Sequence, residues 1–508
     1  MALREECPAH FYYLCRALRK TRHIQPFVLG ALLSGCLWAC SEEKEPARRL
    51  HSEEDLSGLV ITTMPGTYYD HKYSGREDVT LFRTSSDVDC VQALKKGMAD
   101  VYVTAEIAYP PKMQERLQIS LAFLGEEAFD VAFAVRKGNQ ELQDQMNRFL
   151  SESKADGTLD AIIAYWTRGG APVPLPPAAP KPGATSFRCV TGTHMEPICF
   201  LGAGGEWQGM DADILRRFAI WSGRPFEMKL QELASAMLAL NTGQCDVVSA
   251  CLFITDERKK SVDFTIPYYA CHPGYFVADK GSTVKMGLGE RLKMNLVAEH
   301  RWRLIADGLL ETVKITLLSI LLGTLLGVGV CACRRSRRKG LRSLARLYGD
   351  FINGMPMLVL LLVMFYLVFA NTGLDASIVA VITFALCFAS AAGSIFDTAI
   401  SSVPQGQTEA GLSLGFTPFK TFMGIVFPQA LQKGLPLYTS ECVSLLKSTS
   451  IVGYIAIQDV TRASDLIRSR TFDALVPLLV VTVLYFVLAR ILRALLTLVL
   501  NPSGRPTP

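Results

Sequence analysis

The sequence is poor in charge and lacks a phosphate-binding loop and any regular cysteine spacing. Only 19% of its 508 residues are charged, and a net charge of +5 says little by itself at this length. No G-x-x-x-x-G-K-[ST] loop occurs, so the chain is not expected to hydrolyse ATP itself. The fourteen cysteines contain no CxxC pair, and no metal site is predicted. No nucleophile and base set of an enzyme is visible.

Apolar residues make up 50% of the chain, which favours a membrane component. A basic block that includes Arg334, Arg335, Arg337 and Arg338 follows the first apolar run and marks the cytoplasmic side; a nucleic-acid role beside a membrane helix is disfavoured. Five spans with the C-terminus inside are predicted. They cover residues 309–333, 355–370, 378–396, 435–457 and 474–500.

The N-terminal residues 1–35 are typical of an export signal. Basic residues precede an apolar stretch that is shorter than the roughly 20 residues needed to cross a bilayer. The stretch ends in Leu33-Ser34-Gly35-Cys36, which resembles a bacterial lipobox, so Cys36 is predicted to be lipidated and residues 36–54 to form a polar linker. An uncleaved anchor or a chance cysteine is the alternative.

Two later stretches, residues 55–170 and 187–279, alternate short β-like runs with helical periods, which predicts α/β structure. Between them, residues 171–186 are rich in proline and alanine and are expected to form an extended tether of roughly 3 Å per residue. Residues 280–303 read as a connector to the apolar region 304–500, and residues 501–508 as a cytoplasmic tail.

The second stretch carries an ordered succession of motifs: WQGMDAD from residue 207, ITDERKK from residue 254, VDFT from residue 262 and PYY from residue 267. This order resembles the first half of the family 3 solute-binding proteins for polar amino acids, and residues 55–170 resemble their second half. The resemblance implies a single two-lobed domain that is circularly permuted. Two degenerate domains in series are the alternative, for which the stretches are too short.

In the resembling family a free amino acid lies between the lobes, and an arginine holds its carboxylate. Arg258 fits that role because a planar guanidinium matches a carboxylate fork. Gly66, Thr67 and Tyr68 correspond to a loop that adds backbone amides and hydroxyls. Ser249 is a further candidate, although a structural role explains it equally well.

Three positions depart from the family pattern. The aspartate that takes the ammonium group is replaced by Ala105, with Glu106 beside it. The stacking aromatic residue corresponds to Ile198, and a hydroxyl to Phe253. Either the pocket takes an unusual solute, with Glu106 or Glu196 as the substitute anion, or binding has weakened; a lone shifted glutamate is also commonly a solvated surface residue.

Residues 409–428, EAGLSLGFTPFKTFMGIVFP, resemble the EAA signature of ABC-importer permeases, a cytoplasmic coupling helix that docks into a groove of the ATPase subunit. Glu409 is expected near a helix start, and Gly411 and Gly415 on one face that allows close approach. The span count puts this segment on the cytoplasmic side. The implied coupling residues are Glu409, Ala410, Gly411, Gly415, Phe416, Phe419 and Pro428.

The predicted fourth span is polar for a membrane helix. Glu441, Lys447, Ser448 and Thr449 would be costly facing lipid, so they are predicted to line the bundle interior and a translocation path. An ion pair that holds the fold is the alternative, but residues 441 and 447 do not share a helix face.

Together the resemblances imply a multi-domain chain, with a permuted two-lobed α/β domain outside the membrane and an all-α permease domain of five spans, of the polar amino acid type (His/Glu/Gln/Arg/opine-like). Such a chain is a transport subunit of a bacterial inner membrane with no cofactor of its own. Expected partners are an ABC ATPase subunit that uses the ATP, an amino acid or similar solute, membrane lipid and a second copy in a homodimer, but no nucleic acid. A membrane sensor without transport is the alternative, and an enzyme on the binding-protein fold a more distant one.

Overall fold

The computed structural model describes residues 50–192, 194–202, 205–279, 287–370 and 372–500. The predicted export signal, Cys36 and the tail at residues 501–508 lie outside this description. The described chain has an α/β part followed by a helical part.

The α/β part alternates strands and helices along the chain, as the sequence predicts. Its strands are β1 (Val60–Thr63), β2 (Thr80–Arg83), β3 (Val101–Ala105), β4 (Ile119–Leu124), β5 (Phe129–Val131), β6 (Ala134–Arg136), β7 (Phe187–Thr191), β8 (Phe200–Leu201), β9 (Trp207–Gln208), β10 (Phe226–Leu230), β11 (Val247–Ser249), β12 (Val262–Phe264), β13 (Tyr269–Cys271) and β14 (Pro273–Ala278). Its helices are α1 (Tyr68–Ser74), α2 (Asp87–Lys95), α3 (Pro111–Leu117), α4 (Gln140–Ala155), α5 (Thr158–Arg168), α6 (Met210–Ser222), α7 (Leu233–Asn241) and α8 (Asp256–Lys259).

Two five-stranded sheets define two lobes. In lobe A the strand order is β2-β1-β3-β14-β4, and in lobe B it is β10-β7-β11-β6-β12. The strands β1, β2 and β3 are parallel, whereas β14 runs antiparallel to β3 and β4. In lobe B, β7, β10 and β11 are parallel, and β6 runs antiparallel to β11 and β12.

Each sheet therefore borrows one element from the other stretch of chain. Strand β14 comes from residues 187–279 but lies in the middle of lobe A, and β6 comes from residues 55–170 but lies in lobe B. The chain crosses between lobes along β5 and β13, which pair antiparallel with Cys271 opposite Phe129. We call β5 and β13 the hinge strands.

The tether is extended, and it is held along lobe B rather than hanging free. The guanidinium of Arg217 donates to the carbonyl oxygens of Val173 and Pro174, at 2.7 and 3.1 Å. Arg217 is itself buried and ion-paired with Asp213 at 2.8 Å. Further along, the amide of Lys181 donates to the carbonyl of Gly223 at 2.8 Å. The tether thus links the end of α5 to the start of β7 within one lobe.

The helical part begins after residue 287. Its helices are α9 (Leu288–Leu292), α10 (Trp302–Arg334), α11 (Lys339–Asn353), α12 (Met357–Val363), α13 (Ala376–Ser401), α14 (Gln405–Ser413), α15 (Pro418–Thr421), α16 (Phe427–Ser448), α17 (Val460–Thr471) and α18 (Leu475–Leu500). Single π turns occupy Lys293–Val297, Met364–Val368 and Phe422–Val426, and 3-10 turns occupy Glu53–Leu56, Glu106–Ala108, Ala298–His300 and Thr449–Ile455.

Within the described residues, α10, α13 and α18 are long and apolar enough to cross a membrane. A fourth crossing results if α11 and the segment from Met357 to Val368, which meet at 103°, are counted together. The segment predicted as the second span is short. Its seven α-helical and five π-helical residues cover about 18 Å, whereas the hydrocarbon core of a bilayer is about 30 Å thick. The polar helix α16 is not among the helices that pass this test.

Helices α10 and α13 pack closely and run in the same direction. At one end the Ser377 hydroxyl donates to Glu311, and at the other Arg335 pairs with Asp397 at 3.0 Å. Small residues allow the close approach: a Cβ atom on Gly327 would lie 2.9 Å from the Cβ of Ala392. Because the two helices are parallel, the chain between them must return along their length.

Candidate functional site

The predicted carboxylate clamp, Arg258, lies in lobe B at the end of the short helix α8. Its guanidinium donates to the carbonyl of Phe253 at 3.1 Å, and its amide donates to the hydroxyl of the N-cap residue Thr255 at 3.3 Å. In the part of the chain that the structure describes, no carboxylate forms an ion pair with this guanidinium. Burial lowers the pKa of Arg258, with Glu257 acting in the opposite direction. A half-buried cation without an acidic partner is well suited to receive a solute carboxylate.

The loop at the start of α1 lies in lobe A, but its polar groups have internal partners. The amide of Gly66 donates to Asp70 at 3.0 Å, and the hydroxyl of Thr67 donates to the carbonyl of Met64 at 2.8 Å. The Asp70 carboxylate is held in turn by Arg83 at 2.6 Å. Contact of Gly66 and Thr67 with a solute thus requires an exchange of hydrogen bonds, and their ligand role stays a prediction.

Four aromatic rings meet between the lobes. Tyr68 and Tyr69 come from lobe A, Phe129 from a hinge strand and Phe253 from lobe B. Centroid separations are 4.4 Å for Tyr68 and Phe129 and 5.2 Å for the stacked rings of Phe129 and Phe253. Tyr69 meets Phe253 edge to face at 5.8 Å. The departure at Phe253 thus contributes apolar surface to an interlobe contact, where the family pattern has a hydroxyl.

Ser249 lies behind this surface rather than on it. Its hydroxyl donates to the buried carboxylate of Asp211 at 2.8 Å, and the Tyr268 hydroxyl donates to the same carboxylate at 2.6 Å. Burial raises the pKa of Asp211 to about 6, opposed by the bonds from Tyr268 and Ser249. The backbone amide of Cys251 donates to the same carboxylate at 3.5 Å, which adds a third contact. The arrangement explains Ser249 as a structural partner of Asp211, and its solute contact stays untested.

Glu106, the candidate replacement for the missing aspartate, is half-buried at the end of β3. Its carboxylate accepts a long hydrogen bond of 3.4 Å from the Tyr269 hydroxyl on a hinge strand. Ala105 is buried beside it. The other suggested anion, Glu196, pairs with Arg470 of the helical part at 3.2 Å. Glu196 thus forms an interdomain contact, and its role as a solute partner stays a prediction.

The contact between the lobes and the helical part centres on α17, which we call the docking helix. Arg468 pairs with Asp89 of lobe A at 2.8 Å, while Arg470 pairs with Glu196 of lobe B. Beyond the helix end, the carbonyl of Phe472 accepts a hydrogen bond from Gln92 of lobe A at 3.1 Å. Two arginines that are two residues apart therefore hold one lobe each.

His194 of lobe B adds a partly buried hydrogen bond to the docking helix. The amide of Leu201 donates to its Nε2 at 3.0 Å, so the proton is on Nδ1, which donates to the Ser469 hydroxyl at 2.6 Å. Burial, with smaller effects of Arg470 and Arg462, lowers the pKa of His194 to about 3. The ring is thus neutral while the lobe is docked.

The docking helix is anchored to the membrane helices below it. Asp459 caps it by accepting from the amide of Arg462 at 2.9 Å, and the amide of Val460 donates to Thr312 of α10 at 3.2 Å. A Cβ atom on Gly308 would lie 2.7 Å from the Asp459 carbonyl, so α10 approaches at backbone contact. Lobe B makes a second contact with the helical part, where the side chain of Gln244 donates to the carbonyl of Phe365 at 2.6 Å.

The segment with the EAA-like signature forms a helix, a tight turn and a second short helix rather than one coupling helix. Helix α14 starts at Gln405, so Glu409 lies in the middle of the helix and not near its start; the expectation that it complements the helix dipole is wrong. Ala410 is exposed beside it. Gly411 is buried, and a Cβ atom there would lie 2.6 Å from Cγ2 of Thr421. Gly411 therefore lets α14 contact α15.

Gly415 lies beyond the end of α14 and not on the face of Gly411, which corrects the second expectation for this segment. Its φ of +82° is left-handed, and the amide of Phe416 donates back to the Gly411 carbonyl at 3.2 Å. The turn leaves apolar side chains in solvent: Leu414 is 76% and Phe419 73% exposed. Phe416 and Met423 extend this surface, and Pro428 opens α16.

A cavity of about 240 Å³ lies between the membrane helices. Glu441, Ser444 and Ser448 line it from α16, and Asn353 and Cys387 are among the residues on the other walls. The structure thus brings together two of the predicted path residues, Glu441 and Ser448. Lys447 is exposed on another face of α16, and buried Thr449 donates to the carbonyl of Leu446 at 2.7 Å. Among the described residues, no cluster of three or more His, Cys, Asp or Glu side chains could hold a metal.

Comparison with known proteins identifies the family. Residues 187–434 match the profile of the bacterial extracellular solute-binding proteins, family 3. The L-cystine transport system permease protein TcyB of Bacillus subtilis (strain 168) is 34% identical over 187 residues, which cover 37% of this chain and 80% of TcyB. The chain belongs to the amino-acid ABC transporter permeases. This permease is a transport subunit with a solute-binding domain, as the sequence predicted, and ATP hydrolysis falls to a separate subunit.

A further relative and a solved structure match shares of the chain similar to that matched by TcyB. The probable amino-acid ABC transporter permease protein YckA of Bacillus subtilis (strain 168) is 32% identical over 189 residues, which cover 37% of this permease and 83% of YckA. Among solved structures, an amino acid ABC transporter with histidines covers 43% of this permease and 100% of that chain, at 28% identity and a TM-score of 0.38.

Several residues that form interdomain or interlobe contacts in the structure belong to no sequence motif. Arg468 and Arg470 lie between the fourth and fifth predicted spans, in residues 458–473. The three Asp and three Arg residues of that stretch are the signal that the sequence offers for a contact there. His194 and Asp89 carried none, because their partners lie some 275 and 379 residues away. Phe129 is an apolar residue of a short strand, and its contact between the lobes cannot be read from the sequence around it.

Proposed function

We propose that this permease imports an amino acid or a similar small polar solute, with energy from a separate ABC ATPase, and that its own binding domain delivers the solute. The observation that carries the proposal is the contact of one helix of the membrane part with both lobes. A domain held this way is positioned to report lobe closure to the helices that must rearrange.

The binding domain is proposed to be one circularly permuted unit. The exchange of β14 and β6 between the two stretches supports this, since neither stretch completes a sheet alone. The tether links α5 and β7 within lobe B, as expected for a segment that joins the former termini. Two separate domains in series would each need a complete sheet from their own residues.

The proposed topology has five crossings, with the binding domain outside and the EAA-like segment inside. Parallel packing of α10 and α13 supports a return by the bent pair of helices between them. Helix α16 extends along the length of α13 and α10. Near the start of α16, Lys433 donates to the carbonyl of Ser402, beside the end of α13, at 2.7 Å. Past its end the chain reaches Val460, which contacts Thr312 near the start of α10. Lipidation of Cys36 would add an anchor on the outer side.

The proposed solute site lies between the lobes. Arg258 would hold the carboxylate, and Gly66, Thr67 and Tyr68 would complete the site after Asp70 releases the loop amide. Glu106 is the candidate partner for the ammonium group. The named cargoes of the relatives, L-cystine for TcyB and glutamine for the putative permease GlnP of Rickettsia prowazekii (strain Madrid E), support an amino acid as solute.

The proposed ATPase contact is the exposed surface of α14, its turn and α15. A cluster of exposed apolar residues of this kind outside the membrane marks a protein interface, because a surface in contact with water rarely keeps it. Glu409 and Ala410 border the surface, and Gly411 and Gly415 set its shape. The ATPase would press on α14 and, through Thr421, on the start of α16.

The proposed path inward passes the cavity at Glu441 and Ser448. Glu441 offers a charge for a solute ammonium, and serines offer hydroxyls in an otherwise apolar bundle. The exposed Lys447 lies on another face of α16, where a second permease would cover it. A homodimer around α16, with one ATPase on each permease, is therefore the proposed assembly.

The test is uptake by the full chain in vesicles, with and without co-expressed ABC ATPase from its own genome. Labelled amino acids, including cystine, serve as solutes. ATP-dependent uptake is expected, and Gly411→Ala should abolish it together with ATPase co-purification, since the added methyl group meets Thr421. Gly406→Ala, on the same helix but facing open space, is the matched control. An intact chain that binds solute but recruits no ATPase would favour a membrane sensor and would contradict the proposal of ATP-driven import.

A further inference from the structure

Helix α11, which follows the basic end of α10, has three faces of different character. Its first face packs on the neighbouring helices. Ala345 and Gly349 are buried there, and a Cβ atom on Gly349 would lie 2.8 Å from Nη2 of Arg334 of α10. The Tyr348 hydroxyl donates to the carbonyl of Leu386 of α13 at 2.6 Å. This face holds α11 in a fixed position against α10 and α13.

The second face is apolar and uncovered. Leu344, Leu347 and Phe351 are 63%, 65% and 59% exposed. Their spacing of three and four residues places them on one stripe of the helix, which we call the apolar stripe. A surface in contact with water rarely keeps large apolar side chains together in this way, so an apolar partner is expected to cover the stripe.

The third face is basic. Lys339, Arg342 and Arg346 recur at spacings of three and four residues, on the side of the helix that joins the apolar stripe to the packed face. We call them the basic face. Among the described residues, no carboxylate forms an ion pair with any of the three. Asp350 is the one acidic residue of α11, so the helix keeps a net charge of +2.

The direction of α11 suits a position at the membrane surface. The helix meets the segment from Met357 to Val368 at 103°, so it lies almost at right angles to a segment that enters the membrane. It also follows directly on the basic block at the end of the α10 span, on the side that such a block marks as cytoplasmic. An amphipathic helix with a basic polar face and this direction is typical of helices that lie in the bilayer interface.

We propose that α11 lies in the inner surface of the membrane and binds anionic phospholipids, with the apolar stripe among the acyl chains and the basic face at the phosphate groups. A guanidinium group matches the oxygens of a phosphate in a bidentate pair. The assignment to the inner leaflet rests on the proposed topology, whereas the lipid contact itself rests on the three faces of α11.

The charge pattern favours a lipid over a protein partner. An anionic phospholipid presents a negative headgroup beside apolar chains, and α11 presents a basic face beside an apolar stripe. One occupant therefore satisfies both faces. The proposed ATPase contact lies elsewhere, on α14, its turn and α15.

The lipid contact would act next to the proposed solute path. Ile352 and Asn353, the last residues of α11, line the cavity that Glu441 and Ser448 line from the other side. A lipid that holds α11 therefore fixes the position of one wall of this cavity.

The experiment uses the full chain in lipid nanodiscs of phosphatidylcholine alone or of phosphatidylcholine and phosphatidylglycerol in equal parts, without an ATPase. Hydrogen exchange of the α11 amides should be at least about fivefold slower with phosphatidylglycerol, because one basic side chain near an anionic surface strengthens the contact about fivefold. Raising the salt from about 0.1 to about 1 M should remove most of the difference, since the Debye length falls from about 10 to about 3 Å.

Two double variants test the two faces at exposed positions, where no packing is lost. Lys339→Gln with Arg346→Gln should lose most of the effect of phosphatidylglycerol. Leu344→Gln with Leu347→Gln should exchange faster in both lipids, because the stripe no longer inserts among acyl chains. The matched control, Arg490→Gln with Arg493→Gln, removes two exposed charges from α18 and should keep the full effect on α11.

Equal exchange of α11 in the two kinds of nanodisc would overturn the proposal. So would an effect of phosphatidylglycerol that survives in the variant without Lys339 and Arg346. Exchange that slows only after an ATPase is added would assign this surface to the ATPase instead. The lipid readouts involve no uptake and no ATP hydrolysis, so failure here is distinguishable from failure of the transport proposal.

Discussion

Arg258 is a half-buried cation that the protein leaves without a carboxylate partner among the described residues. Keeping such a charge costs free energy unless another group neutralises it. Its partial burial, which lowers the pKa of Arg258, also strengthens any charge-assisted hydrogen bond formed there. The arrangement is explained if a solute supplies the missing anion.

Replacing Arg258 by alanine should therefore weaken solute binding by about 10- to 100-fold, the value of a hydrogen-bonded charge. Arg258→Lys should recover only part of the loss, because an ammonium group cannot form the bidentate pair. Calorimetry of the full chain with the solute identified by uptake is the measurement. The matched control is Arg76→Ala, which breaks a surface pair with Asp78 on lobe A. Unchanged affinity in Arg258→Ala would disprove the clamp.

His194 links docking to pH. Its pKa is lowered from 6.5 to about 3 in the docked state, so docking favours the neutral ring. The stabilisation is fully present above pH 6.5 and is lost progressively as the pH falls toward 3, because the undocked ring takes up a proton first.

We expect the thermal unfolding midpoint of the full chain to fall more between about pH 7.5 and about pH 5 than that of His194→Gln, measured by the same detergent-based scan. Glutamine can accept from Leu201 and donate to Ser469, and it does not titrate. Equal pH dependence in the two proteins would show that His194 is not the titrating group.

At the scale of elements, the packing of α10 on α13 depends on glycines with little space. Gly327 faces Ala392, whereas Gly329, two residues later on the same helix, faces open space. Gly327→Val should cost about 1 to 3 kcal/mol through overpacking, and Gly329→Val should change stability little. Thermal unfolding of both variants in detergent checks this. Equal destabilisation would point to helix propensity instead of packing.

Some helices and strands were predicted from the sequence and others were not. The order of motifs predicted the lobes, and the apolar runs predicted α10, α13 and α18. The EAA-like signature drew attention to the segment of α14 and α15, whose contact with an ATPase stays a prediction. The amphipathic helix α11 was missed because its arginines read as a basic block. Glu409 was misplaced because the helix begins at Gln405, earlier than the motif. The interlobe role of Phe253 and the docking role of Arg468 depend on contacts across hundreds of residues, which local patterns do not contain.

At the scale of the whole molecule, the binding domain and the membrane domain form one coupled unit. Lobe A is held through Asp89 and Gln92, and lobe B through Glu196 and His194. All four residues contact the docking helix or Phe472, the residue after it. The docking helix itself packs against α10. A change in the angle between the lobes must therefore strain this helix or break one of its ion pairs.

The most direct test of this account is a charge exchange across the docking helix, read out as solute-stimulated ATP hydrolysis by the complex of the full chain with its ATPase in vesicles. Asp89→Arg and Arg468→Asp should each lower the stimulation, because each brings like charges together in a partly buried pair. The double variant should restore a substantial part of it, since paired residues typically couple by about 0.5 to 3 kcal/mol. Arg76→Asp on the same lobe should have no effect. Full stimulation in both single variants would contradict the claim that the docking helix couples the lobes to transport.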